Sequence, residues 1–149
     1  MEAVDADLLA RAIGWAADSP AARDEVFDIT NGDVFLWRSV WPAIADVLGM
    51  SAGGDAPLSL AHEMPKRAPD WDRIRATHQL VSPALSDFVG LSFQYADSCL
   101  GYDDDRRGDP ALVSTVKIRR AGFHEFIDTE IMLRKWFGIF QEKRYLPPV

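Results

Sequence analysis

One short segment constrains this chain more than any other. Glu25-Val26-Phe27-Asp28-Ile29 alternates polar and apolar side chains, the period of a half-buried strand, and no other segment reads as convincingly extended. A lone strand has no ladder partner. Its N–H and C=O groups must be paired from somewhere else, which suggests that the chain was once part of something larger. Everything around it reads as helix, so the expected class is mainly α with one or two short strands.

The helical segments follow from 3.6-residue periodicity and punctuation. Asp5 to Ala17 places Leu8, Leu9, Ala12, Ile13 and Ala16 on one face, and Asp18-Ser19-Pro20 ends it. Asn31-Gly32-Asp33 supplies a turn, with Asp33 expected to cap the helix that follows. That helix carries Phe35, Leu36, Val40, Ile44 and Leu48 inward; Pro42 must kink it or mark its true start, and Gly49 closes it. Ser59 to Glu63 predicts a turn or two, and Asp70 to Leu80 a helix with Trp71, Ile74 and His78. Ser82-Pro83 predicts the start of a long helix to about Leu100, with Leu85, Phe88, Val89, Ser92, Phe93, Ala96 and Cys99 on or near one stripe. Gly101 to Pro110 reads as a charged loop and Ser114 to Ala121 as a short helix ended by Gly122. Asp128 or Thr129 caps a last helix through Met132, Trp136, Phe137 and Phe140, and Tyr145-Leu146-Pro147-Pro148-Val149 is a non-helical tail.

Length and composition narrow the partners. The 149 residues suit a single domain spanning 1–149. Eight Phe, five Trp and three Tyr give it large groups to bury. Sixteen basic against twenty-three acidic residues give a net charge of −7, which disfavours nucleic acid and an anionic membrane surface alike. No apolar run approaches the ~20 residues of a spanning helix. Met1-Glu2-Ala3-Val4-Asp5 lacks the basic and then apolar order of a secretory leader, so none is expected. One cysteine, Cys99, leaves no internal disulfide and fits a reducing cytoplasm. Its place on the apolar stripe predicts a buried thiol.

Little in the sequence nominates a reaction. There is no G-x-G-x-x-G, no P-loop and no paired-cysteine metal signature. His62, His78 and His124 are scattered and lack metal spacing, so no metal is expected. Asp103-Asp104-Asp105 resembles half of a calcium loop but lacks its glycine and terminal glutamate.

The stretch Phe27-Asp28-Ile29-Thr30-Asn31-Gly32-Asp33-Val34-Phe35-Leu36-Trp37-Arg38-Ser39-Val40-Trp41-Pro42 is more specific. It closely resembles a motif in the later half of atypical extended short-chain dehydrogenases/reductases. The nearest branch is the progesterone 5β-reductase/iridoid synthase-like group, which reduces enones with NADPH. Asp5-Ala6-Asp7-Leu8-Leu9 with Trp15-Ala16-Ala17 matches ahead of it, as do Pro69-Asp70-Trp71, Leu80-Val81-Ser82-Pro83, the Ala96-Asp97 helix, Ser114-Thr115-Val116-Lys117, Ala121-Gly122-Phe123, Trp136 and Pro147-Pro148 after it. The resemblance covers nearly the whole chain.

It implies the substrate-binding portion of a Rossmann-type α/β reductase without the dinucleotide-binding half. The family's Gly-rich fingerprint and catalytic Tyr and Lys have no counterpart here, so no cofactor is expected on this chain. NADPH is implied for an intact family member. Aromatic residues just before the A-D pair face the enone in the family, which implies Phe93 and Tyr95 as substrate-binding; Gln94 departs from the bulky family pattern. The implied ligand is a small apolar carbonyl or enone. Two other readings stand beside this one: a dimeric binding or assembly module, and a small non-redox isomerase or cyclase reusing the pocket. Either a homodimer or a separately encoded dinucleotide-binding half is expected to cover residues about 8–29.

Overall fold

The computed structural model describes residues 1–102 and 112–149, so Asp103-Asp104-Asp105 and most of the charged loop lie outside the described residues. Eight α-helices occur among them: α1 (Ala6–Asp18), α2 (Trp37–Val47), α3 (Leu60–Glu63), α4 (Ala68–His78), α5 (Leu85–Val89), α6 (Ser92–Leu100), α7 (Val116–Arg120) and α8 (Thr129–Glu142). Short 3-10 turns at Pro20–Ala22 and Met64–Arg67 follow α1 and α3. The described residues form two compact units. One comprises Met1–Ala43 and residues 112–135, the other residues 44–102 and Trp136–Val149.

The first unit is built on α1. Asp5 caps it, its carboxylate accepting from the Leu8 N–H at 2.9 Å. Leu8 and Ala12 pack with Ile118 of α7 and with Phe123, and Trp15, Phe27, Ile29 and Ile127 close around them. Trp15 meets Phe27 edge-on at 5.6 Å and Phe123 at 5.7 Å.

Glu25–Ile29 forms no strand, and no strand occurs among the described residues. This corrects the expected fold class: the described residues are mainly α, without the short strands. The alternation is nonetheless expressed, since Phe27 and Ile29 join the core while Val26 is 81% exposed. What is missing is a ladder. The backbone here is paired one group at a time. The Val26 carbonyl accepts from Lys117 Nζ at 2.8 Å, Asn31 N–H donates to the Ala3 carbonyl at 2.7 Å, and Ile127 N–H donates to the Asn31 carbonyl at 3.0 Å.

The turn that follows has a different task from the one expected. Gly32 takes φ +104°, as a turn glycine should. Asp33, however, does not cap α2. Its carboxylate accepts from the Thr129 N–H at 3.0 Å and the Thr129 hydroxyl at 2.7 Å, at the start of α8. Asn31 is fully buried beside it. It accepts from the Asp5 N–H at 2.6 Å and donates to Thr129 Oγ1 at 3.0 Å and Met132 Sδ at 3.3 Å. One polar tripeptide thus joins the starts of α1 and α8. Lys135 extends the cluster with ion pairs to Asp5 at 2.5 Å and Asp7 at 3.1 Å. Burial lowers the Lys135 pKa, but the two carboxylates outweigh it and hold the ammonium above the usual lysine value.

Helix α2 contains Pro42 in its interior and buries Val40, Ala43, Ile44 and Ala45, leaving Leu36 exposed. In the second unit the long helix expected from Ser82 to Leu100 is two helices. Gly90 takes φ 53° and ψ −122°, a conformation outside any helix, and separates α5 from α6. Cys99, near the end of α6, is exposed rather than buried.

A candidate ligand cavity on the second unit

The three short helices α3, α5 and α6, with the start of α4, enclose a cavity of about 240 Å³. Its walls are Ala61 of α3, Pro65, Ala68 at the start of α4, Ala84, Leu85 and Val89 around α5, and Phe93 of α6. Polar groups enter at Asp72, Ser86 and Gln94. The space is a little under the ~300–1,000 Å³ usual for drug-sized ligands, so it suits a smaller molecule.

Each wall has a local reason. Ser59 starts α3, its hydroxyl accepting from the His62 N–H at 3.1 Å. Pro69 stands in the first turn of α4, where its missing N–H costs nothing. Trp71 Nε1 donates to the Pro83 carbonyl at 3.0 Å, and Arg75 Nε to the Ser82 carbonyl at 2.7 Å, so α4 holds the segment that leads into α5. Trp71 also stacks on Phe88 at 5.3 Å with rings 13° from parallel. Arg75 pairs in addition with Asp72 at 3.0 Å, placing a counter-charge on the one ionisable lining residue. A carboxylate, a hydroxyl and an amide on an apolar wall can orient a ligand through hydrogen bonds while burying the rest of it.

The structure brings Phe93 to this cavity and leaves Tyr95, 76% exposed, outside it. Gln94, singled out in the sequence as a departure, lines the cavity beside Phe93. Ala61, Pro65, Ala68 and Asp72 carried no signal in sequence. Three of them are small apolar residues with no chemistry to notice, and Asp72 reads as a helix-surface charge. The three histidines do not converge. His62 lies on the surface with Glu63 at 2.9 Å, and among the described residues no group of His, Cys, Asp and Glu could hold a metal.

Among the described residues no dinucleotide cradle of the Rossmann kind is formed. A pyrophosphate is cradled where a strand meets a glycine-rich turn and a helix N-terminus. No strand is present among them to deliver such a turn. The space at the Gly32 turn is filled, since a Cβ there would meet Arg119 at 2.7 Å and the Phe126 Cβ at 3.1 Å. No described helix is long and apolar enough to cross a membrane.

No family model matches the chain. Among curated proteins it is similar to plant enzymes. An (S)-8-oxocitronellyl enol synthase of Antirrhinum majus is 36% identical over 149 residues, covering 98% of this chain and 36% of the relative. An (S)-8-oxocitronellyl enol synthase of Camptotheca acuminata is 37% identical over 151 residues, with the same two shares, 98% and 36%. One from Nepeta cataria is 34% identical over 151 residues. The chain therefore spans about a third of the length of the relatives it matches, at the 36% share given for each of the first two.

Proposed function

We propose, from the premise that this chain is a relative of the (S)-8-oxocitronellyl enol synthases, that it is the substrate-binding portion of a short-chain reductase-like protein. Its ligand is a small apolar carbonyl or enone. The observation that carries this reading is the small apolar cavity, with Phe93 on its wall one turn before the Ala96-Asp97 pair. Phe93, Leu85 and Val89 bury the hydrocarbon part, and Gln94 and Ser86 offer donors to a carbonyl oxygen. NADPH would serve an intact protein of this kind from a dinucleotide-binding half of the Rossmann type. Redox chemistry would then belong to the combined protein rather than to this portion.

The test uses citronellal, a small apolar aldehyde, titrated against the chain and followed at the methyl resonances of Ala61, Leu85 and Val89. Saturable shifts confined to the cavity residues, with Kd below ~1 mM, support the reading. Unshifted cavity methyls with saturable shifts elsewhere, or none at all, overturn it.

A second reading concerns the first unit. Val26, Phe126, Leu36 and Ile13 are 81, 71, 66 and 63% exposed there, large apolar side chains of the kind that an interface would cover. They favour a protein partner on this unit, either a dinucleotide-binding half or a second copy of the chain.

A further inference from the structure

We infer that Asp97 is a positioning residue for the cavity, its carboxylate tying the α3 wall to the α6 wall. The inference rests on the small-molecule reading of that cavity and adds what holds it open at its width. Helix α3 has four residues, too few to be stable as a helix without outside help. That help comes across space from α6. Asp97 Oδ1 accepts from the Leu60 N–H at 2.7 Å, and Oδ2 accepts from the Ser59 hydroxyl at 2.7 Å and the Ala61 N–H at 3.1 Å. Three donors of one helix start therefore converge on one carboxylate.

Both ends of this clamp belong to the cavity. Ala61, whose N–H is held, lines it, and Pro65 and Ala68 continue the same wall. Phe93 lines it from α6, four residues before Asp97 and hence on the same helix face. The opposite connection of α6 is loose. It joins α5 through Gly90, whose surroundings are open, since a Cβ built there would meet nothing within 4 Å. Leu91 beside it is 74% exposed. The α5–α6 junction is open at Gly90 and Leu91, and the Asp97 bonds are a specific polar link that ties α6 to α3. Burial pushes the Asp97 carboxyl up, but the bonds from Ser59, Leu60 and Ala61 together outweigh it and hold the group below the usual aspartate value. It is ionised at neutral pH, and all three bonds are charge-assisted. The nearby charges on the α3 side, His62, Glu63 and Lys66, pair with one another at the surface.

The experiment is a double-mutant cycle on the full chain with Asp97→Ala, Ser59→Ala and both together. Two readouts are taken: citronellal affinity at the Ala61 and Val89 methyl resonances, and ligand-free amide exchange at Leu60 and Ala61. We expect Asp97→Ala to weaken binding about tenfold and Ser59→Ala about threefold, with the double variant weakened by less than the product of about thirtyfold. Ser59 also caps α3 through the His62 N–H, so the double variant falls somewhat below Asp97→Ala, but the shared bond is lost only once. Exchange at the two amides should accelerate in Asp97→Ala. Asp97→Asn, which keeps one acceptor oxygen, should recover part of the affinity. If Asp97→Ala does not fold, Ser59→Ala and Asp97→Asn carry the same comparison. Binding within about twofold of the parent in the Asp97 variants, or fully additive losses, overturns this inference alone. Failure of the parent chain to bind citronellal overturns the small-molecule reading and this inference with it, whatever the amides do.

Discussion

Asn31 carries more of the first unit than any other single side chain. It is fully buried and has both amide atoms engaged, with Asp5 on one side and Thr129 and Met132 on the other. Removing it takes the side-chain acceptor from the buried Asp5 N–H and one donor from Thr129 Oγ1, which still donates to Asp33; a buried group that loses its partner costs about 1–3 kcal/mol. Asn31→Ala should therefore destabilise by roughly 1–3 kcal/mol, the cost of that group. Asp33→Ala removes only the acceptor for Thr129 and should cost about 1 kcal/mol, the usual value of a helix cap. Urea unfolding followed at Trp15, in the adjoining core, measures both. Equal costs would mean that the buried amide is not the centre of the cluster. That Asp33 would cap a helix was readable from its residue type and turn context. Its beneficiary was not, because Thr129 is 96 residues away in sequence.

At the scale of elements, the break between α5 and α6 is the departure with most consequence. Helical periodicity runs unbroken across Gly90, and a glycine inside such a pattern costs only about 1 kcal/mol relative to alanine, too little to announce a break. Two helices rather than one let Leu85 and Val89 face the cavity from one side and Phe93 from another. Gly90→Ala tests the junction directly. Space is open around that position, so the penalty is conformational, about 1–3 kcal/mol for an L-residue at φ 53° and ψ −122°. A neutral substitution would show that α5 and α6 can join into the single helix that periodicity predicts.

The α3–α6 clamp gives a second element-scale prediction. Asp97 has its folded pKa depressed below the ordinary 3.8, so its contribution is present above that value and is lost as pH falls through the folded pKa. The amide shifts of Leu60 and Ala61 should titrate together as the pH falls, with a common midpoint below 3.8. A midpoint at or above 3.8 would mean that burial dominates and the bonds are weaker than their geometry suggests.

Taken whole, the chain divides its labour. The first unit holds the buried polar cluster, the aromatic core and the exposed Val26, Leu36 and Phe126; the second holds the cavity. We expect light scattering at micromolar concentration to show a dimer, or a complex when a dinucleotide-binding half is supplied, with Val26→Asp and Phe126→Asp abolishing it. A specific contact of this kind should bury at least ~1,000 Å² in total. A monomer under both conditions, with no binding of apolar dye, would remove the partner reading. NADPH titrated against the chain alone should give no binding tighter than ~1 mM, followed by nicotinamide fluorescence. Micromolar binding would contradict the assignment of the cofactor to another half.

The local content of the fold was written in residue order. Asp5 and Ser59 cap the helices they precede, Gly32 makes its turn, and Phe27 and Ile29 point inward from an alternating segment, because caps, positive φ and side-chain period depend only on neighbours within a few residues. The kinship was legible too, through the block from Phe27 to Pro42. What tertiary structure alone decided is everything that depends on a partner distant in sequence. Whether the alternating segment became a strand turned on a second segment to pair with. Which helix Asp33 would cap turned on where Thr129 came to lie, and Asp97 became a clamp only because α3 packs on α6. The cavity itself is lined largely by Ala, Pro, Leu and Val, residues whose chemistry marks no position until folding brings them around one space.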